Sequence, residues 1–197
     1  MRLLNSRETY GWPSRLLHWL MAALVIGLFA LGYWMRTLDY YDPWYQRAPN
    51  LHMSIGVLLV ALLVVRVLWR FGNPKPRPLA KSWIEQTASS IAHFLMYLVL
   101  VGLSVTGYLF ATGGGKSINV FDWFEVPPLI TAKTLADRAG DIHEWLAYGI
   151  MAIAAVHAIG ALKHHFLDRD DTLVRMLSGH SSQNENLKTG EKNEESS

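Results

Sequence analysis

The sequence predicts an all-α integral membrane protein, a four-helix bundle, and three observations lead there. Four apolar stretches, at about 16–35, 52–70, 91–111 and 143–162, are each long enough to cross a hydrocarbon core of about 30 Å as a helix. Lysine and arginine divide unevenly between the segments that join them. Five histidines, His18, His52, His93, His143 and His157, fall within those stretches at two depths.

Composition sets the limits. Hydrophobic residues make up 51% of 197 residues, and mean hydropathy is +0.15 in spite of a polar tail. A net charge of +2 gives no case for nucleic acid as a partner. Cysteine is absent, which excludes disulfides, thiolate-held iron–sulfur clusters, covalently attached c-type haem and thiolate-ligated haem. Any bound metal must rest on histidine. The 8 tryptophans and 8 tyrosines suit the aromatic belts of a membrane protein. The first residues lack the apolar core and cleavage site of a signal peptide, so the N-terminus is expected to be retained.

In chain order, Met1 to Arg15 is polar and basic, and Leu16 to Met35 is apolar apart from His18. An aromatic loop with Tyr40, Tyr41, Trp44 and Tyr45 follows. The second span opens near His52 and closes on Arg66 and Arg70. Asn73 to Pro78, NPKPRP, cannot continue a helix and reads as an extended connection. The third span carries no charge, and Thr112 to Gly140 reads as a long mixed loop. After the fourth span the chain turns polar, and 179–197 has the composition of a disordered cytoplasmic tail, leaving 1–178 as the membrane domain. The N-terminal segment, the second connection and the C-terminal segment hold 13 of the 18 basic residues, which places both termini in the cytoplasm.

The fourth stretch organises the rest. His143 and His157 are fourteen residues apart, which returns them to one helix face within about 40° and separates them by roughly 21 Å. Ala147 and Ala154 lie between them on that stripe, small enough for something flat to stand against the helix. Two histidines stacked in this way suggest two haems stacked across a bilayer. Depth then pairs His52 with His143 at the outer level, and His157 with either His18 or His93 at the inner level. A haem iron held by two imidazoles has no open position, which favours electron transfer over oxygen binding. Gly32 and Gly107 stand fourteen residues beyond His18 and His93 and are expected at the outer level, where a porphyrin needs room. They have a second reading as helix-packing residues. Arg66, fourteen beyond His52, either snorkels to the inner surface or pairs with a haem propionate.

The blocks RLLHW, LHMSIG, DIHEW…VHAIGALKHHF and DTLVRML, in that order over about Tyr10 to Leu177, resemble the bacterial cytochrome b561 family. The resemblance implies a four-helix bundle in the bacterial inner membrane holding two non-covalent b haems. Its ligands would be His18 with His157 and His52 with His143, leaving His93 a non-ligand beside the inner haem. It also implies respiratory electron transfer between an outer-side donor and membrane quinone, ubiquinone among them. Superoxide is one candidate donor, although the two outer loops carry no bulk positive charge to steer an anion. The alternative is a haem-b anchor subunit of a larger dehydrogenase or hydrogenase. A haem-free transporter is a third reading, disfavoured because the sequence shows no broken helices or inverted repeats. For quinone, the candidates are His164 and His165 at the inner end of the fourth span, about 100° apart around the helix. An imidazole can both hydrogen-bond a quinone carbonyl and pass a proton.

Overall fold

The computed structural model describes residues 3–79 and 82–179. Four long helices carry the chain: α1 (Trp12–Met35), α2 (Arg47–Phe71), α3 (Trp83–Thr112) and α4 (Lys133–Phe166). They are 24, 25, 30 and 34 residues long and apolar enough to cross a membrane. At about 1.5 Å per residue, each exceeds the roughly 30 Å of a hydrocarbon core. Their outward faces carry exposed apolar side chains such as Leu68, Phe94, Phe110, Val156 and Ile159, as a lipid-facing surface requires. Pro13 sits in the first turn of α1, where its missing N–H costs no hydrogen bond. The Ser82 hydroxyl caps α3 by accepting from the Ile84 amide.

The helices associate as two pairs, α1 along α2 and α3 along α4, and α2 meets α3 only sparsely. Small residues let α3 and α4 approach closely. A Cβ on Gly102 would stand 3.0 Å from Leu146, and one on Gly140 would stand 2.9 Å from the Phe110 ring. Across the pairs, Phe29 of α1 meets Tyr148 of α4 edge to face at 5.7 Å, and Arg36 at the end of α1 pairs with Glu144.

The structure departs from the sequence reading in three places. The helices run beyond the expected spans, most of all α4, which starts at Lys133 inside what reads as a loop. That loop also contains a two-stranded antiparallel hairpin, β1 (Ile118–Val120) and β2 (Phe124–Val126), so the fold is mostly helical and not purely so. After α4 a short helix, α5 (Thr172–Leu177), covers the inner end, where the sequence reads only as polar. The segment 74–79 lies outside any helix or strand, in keeping with its prolines. Residues 180–197 of the expected tail lie outside the described residues.

The hairpin is fastened to α2 by one buried hydroxyl. Ser54 is 3% exposed; its Oγ donates to the Asn119 carbonyl at 3.0 Å and accepts from the Phe121 amide at 3.3 Å. Ser54→Ala leaves both backbone groups without that partner, at a cost of about 1–3 kcal/mol. The expected outcome is a lower melting temperature in detergent and faster proteolytic cleavage within 113–132. Wild-type cleavage kinetics would show that Ser54 does not hold the hairpin.

Candidate functional site

The two levels of histidines expected from helix periodicity are present. His18 of α1 and His157 of α4 have ring centroids 6.3 Å apart at an interplanar angle of 71°. His52 of α2 and His143 of α4 are likewise 6.3 Å apart, at 75°. Two metal–imidazole bonds of about 2.0 Å plus two ring radii of about 1.2 Å give roughly 6.4 Å for imidazoles on opposite sides of one metal. Both pairs therefore fit a bis-imidazole iron. His93 stands closer to His157, at 4.9 Å, which is too short for that arrangement. Its Nδ1 donates to the Ser89 carbonyl of its own helix at 2.6 Å.

Hydrogen bonds fix the ring nitrogens differently at each level. His143 Nδ1 donates to the Leu103 carbonyl at 3.0 Å, with the Thr106 hydroxyl at 3.3 Å, so its Nε2 keeps a lone pair for a metal. His52 Nδ1 is buried and makes no hydrogen bond of normal geometry, although the Leu28 carbonyl lies close enough to act on the ring. At the inner level, Arg66 Nη2 lies 3.1 Å from His18 Nδ1, and Arg66 Nε donates to the Tyr97 hydroxyl at 3.0 Å. A guanidinium cannot accept, so His18 Nδ1 is the acceptor and its proton is assigned to Nε2. Coordination through Nε2 requires Arg66 to find another acceptor. The guanidinium thus points into the bundle instead of snorkelling outward.

Gly32 and Gly107 do lie at the outer level, with a more immediate reason than room for a flat ring. A Cβ on Gly107 would stand 2.9 Å from His143 Cε1, and one on Gly32 would stand 3.2 Å from His52 Cε1. The glycines make room for the imidazoles themselves.

The inner end of α4 treats its two histidines unequally. His164 Nδ1 lies 2.8 Å from Asp168 and 3.3 Å from Asp170. His165 Nδ1 is buried without a hydrogen-bond partner, and its ring sits edge to face on Phe166 at 4.9 Å. Lys163 Nζ bridges Glu85 at 2.6 Å and Asp168 at 2.8 Å. The hydrogen bond from that ammonium holds the Asp168 carboxyl below its usual range. Donor atoms of Glu85, His164 and Asp168 lie within 4.8 Å of one another, a spacing open to a metal. The ammonium already takes the cation position between the two carboxylates. Sequence reasoning missed Tyr97, Thr106 and the Leu103 carbonyl. Tyr97 was accessible in principle, since it stands four residues beyond His93 on the same face.

Four membrane-length helices with paired, apolar-surrounded imidazoles at two depths make the frame of a membrane cytochrome that holds haem without thiolates. A family model described as prokaryotic cytochrome b561 matches residues 9–179, and the chain belongs to that family of membrane b-type cytochromes. It is similar to cytochrome b561 homolog 2 of Escherichia coli (strain K12), 50% identical over 184 residues, covering 92% of this chain and 98% of that protein. It is 28% identical over 166 residues to a "probable superoxide oxidase CybB" of Yersinia pestis, covering 82% and 91% of the two chains. It is 25% identical over 220 residues to a "probable Ni/Fe-hydrogenase B-type cytochrome subunit" of Rhizobium leguminosarum bv. viciae, covering 89% and 88%.

The glycine contacts make a graded prediction. Gly107→Ala forces the added methyl against a ring held in place by Leu103, and the expected result is loss or weakening of outer-level haem binding. Gly32→Ala meets the His52 ring at a looser 3.2 Å and should do less. Gly149→Ala has nothing within 4 Å and should do nothing. Haem per chain and the low-spin absorption bands report each outcome, and full wild-type loading of Gly107→Ala would overturn the steric account.

Proposed function

We propose that the chain binds two b haems, one between His18 and His157 and one between His52 and His143. With these it passes electrons between a donor on the outer side of the bacterial inner membrane and the quinone pool. The observation that carries this reading is the equal 6.3 Å spacing of the two imidazole pairs. Haem supplies one-electron transfer when bound, and with two imidazoles on each iron no position is left for oxygen. The 13-to-5 division of basic residues supports an orientation with both termini in the cytoplasm.

The chain's own groups orient and protect the sites. The Leu103 carbonyl accepts a hydrogen bond from His143 Nδ1–H, which fixes the tautomer and leaves the Nε2 lone pair free. Ser89 ties the His93 ring to its own helix, which keeps it available to place a polar group beside the inner site without ligating it. Arg66 offers a guanidinium to a propionate of the inner haem, which would free His18 Nδ1 to take a proton. For quinone, His165 is the better of the two candidates, because its Nδ1 has no protein partner while His164 is held by two carboxylates.

Superoxide stands as one candidate donor, supported by the relative named for that activity. A second reading, the cytochrome subunit of a larger complex, is favoured by the exposed apolar side chains Trp123, Phe124, Leu129 and Ile130 on the hairpin and the loop after it. Purification in mild detergent separates the two. A haem-loaded particle free of other polypeptides supports the standalone conduit, and stoichiometric co-purification of a second chain supports the subunit.

The ligand assignment predicts two low-spin, six-coordinate haems per chain. His143→Ala should remove the outer haem and leave the inner largely intact, and His157→Ala should do the reverse. His93→Ala should keep both. Reduced-minus-oxidised spectra with a haem count check this, and one haem per chain in the parent protein would sink it. For quinone, His165→Ala should lose quinone reduction while both haems remain reducible by an artificial donor. Normal turnover in His164→Ala and His165→Ala alike would move the site elsewhere.

A further inference from the structure

The residues before α1 and those between α2 and α3 are stitched into one non-helical cap on the end of the bundle. Asn5 is its knot. Its Oδ1 accepts from the Gly11 amide at 2.9 Å and from the Ser14 hydroxyl at 2.7 Å. Its Nδ2 donates to the Pro74 carbonyl at 3.2 Å. The Trp69 indole donates to the same Ser14 hydroxyl at 2.9 Å, and the Arg77 amide donates to the Arg7 carbonyl at 2.8 Å. Gly11 packs so close against the Leu3 carbonyl that no Cβ fits between them.

What this cap turns outward is costly in water. Leu3 and Leu4 are 61% and 62% exposed, beside an open hollow lined also by Asn5 and Ser6. Arg7, Lys75 and Arg77 are exposed as well, and Pro76 is buried between the last two, so both cations share the outward side. Within 3–11 and 72–79, three cations stand against one acidic residue, Glu8. The patch continues a lipid-facing surface. α2 ends on Phe71 and α3 begins on Trp83, both exposed, at the two ends of the connection that the cap covers. Aromatic rings at span ends sit at the depth of the headgroups, which sets the depth of the cap. Exposed leucines gain free energy at the acyl boundary, and cations beside them complement lipid phosphate.

We propose that the N-terminal cap is an in-plane membrane anchor: Leu3 and Leu4 enter the inner leaflet, and Arg7, Lys75 and Arg77 hold anionic phospholipid headgroups. Each cation near such a surface is worth about fivefold in affinity. Because Asn5 ties the cap to the start of α1 and to the connection after α2, lipid held there also braces that helix pair. The inference rests on the orientation read from the basic residues and not on the haem ligands.

The test exploits the absence of cysteine. Full-length protein with Leu4→Cys takes an environment-sensitive fluorophore at that position alone. It is placed in nanodiscs of phosphatidylcholine, or of phosphatidylcholine mixed with phosphatidylglycerol. The expected result is blue-shifted emission that brominated acyl chains quench, more strongly in phosphatidylglycerol discs, with a preference that salt weakens. Arg7→Gln, Lys75→Gln and Arg77→Gln together should abolish that preference and leave the haem content and spectrum unchanged. Arg7→Lys with Arg77→Lys should retain it, and Lys116→Gln on the outer loop should not affect it. If the triple variant fails to fold, Arg7→Gln decides, because Arg7 is exposed and only its backbone joins the cap; it should weaken the preference about fivefold. Water-like emission in every disc would overturn the proposal. Blue-shifted emission that lipid bromine does not quench would also overturn it, and would show the face covered by protein. Equal quenching in both lipids, unmoved by the variants, would overturn the headgroup assignment. Labelling of Leu4→Cys in intact spheroplasts by a membrane-impermeant maleimide would overturn the orientation and with it the inner-leaflet anchor, leaving the haem reading untouched.

Discussion

The structure depends on the rise of one helix. His143 and His157 are carried by α4 alone, and a continuous α-helix cannot alter the roughly 21 Å between them without breaking its own hydrogen bonds. Each partner histidine has to come from another helix at a matching depth, so α1 and α2 are committed in register as well as in direction. The identical 6.3 Å separations show that register achieved at both levels. The tight α3–α4 contact through Gly102 and Gly140 holds α4 close against its neighbour. Arg36–Glu144 and Phe29–Tyr148 set the distance to α1. Packing of this kind suits a membrane interior, where small residues and polar contacts replace the hydrophobic effect as the source of helix association.

What was legible in the sequence follows from which features have a period. The spans, the two levels and the face shared by His143 and His157 all follow from helical repeat and bilayer thickness. The position of Gly107 and Gly32 was legible for the same reason, but their purpose was not. Counting along a helix says which level a residue occupies, and only the neighbouring chain says that a ring edge will lie 2.9 Å from a methyl group. Arg66 shows the same limit. Its depth was readable, whereas the choice between lipid surface and interior rested on Tyr97 and His18, one on α3 and the other on α1.

The elements that escaped the sequence are short and set by tertiary partners. The hairpin turns through Phe121 and Asp122 with φ of 50° and 60°, a conformation that usually announces itself with glycine. Here Asn119 does the work from outside the turn, donating to the Asp122 carboxylate at 2.6 Å and accepting from the Asp122 amide at 2.9 Å. A helix of 6 residues such as α5 is too short to hold itself by propensity. It exists because Arg15 and Trp19 of α1 bind its last carbonyls. No local reading of 172–177 contains those donors.

The two levels also differ electrically. At the outer level the adjacent charges, Arg36 and Glu144, neutralise each other. At the inner level the Arg66 guanidinium faces the uncharged groups of His18 and Tyr97. In a low-dielectric bundle such an imbalance is screened far less than it would be in water. The same end of α4 that carries His157 also carries His165, whose Nδ1 is buried without a hydrogen-bond partner, so the least neutralised polar groups of the bundle gather at one end.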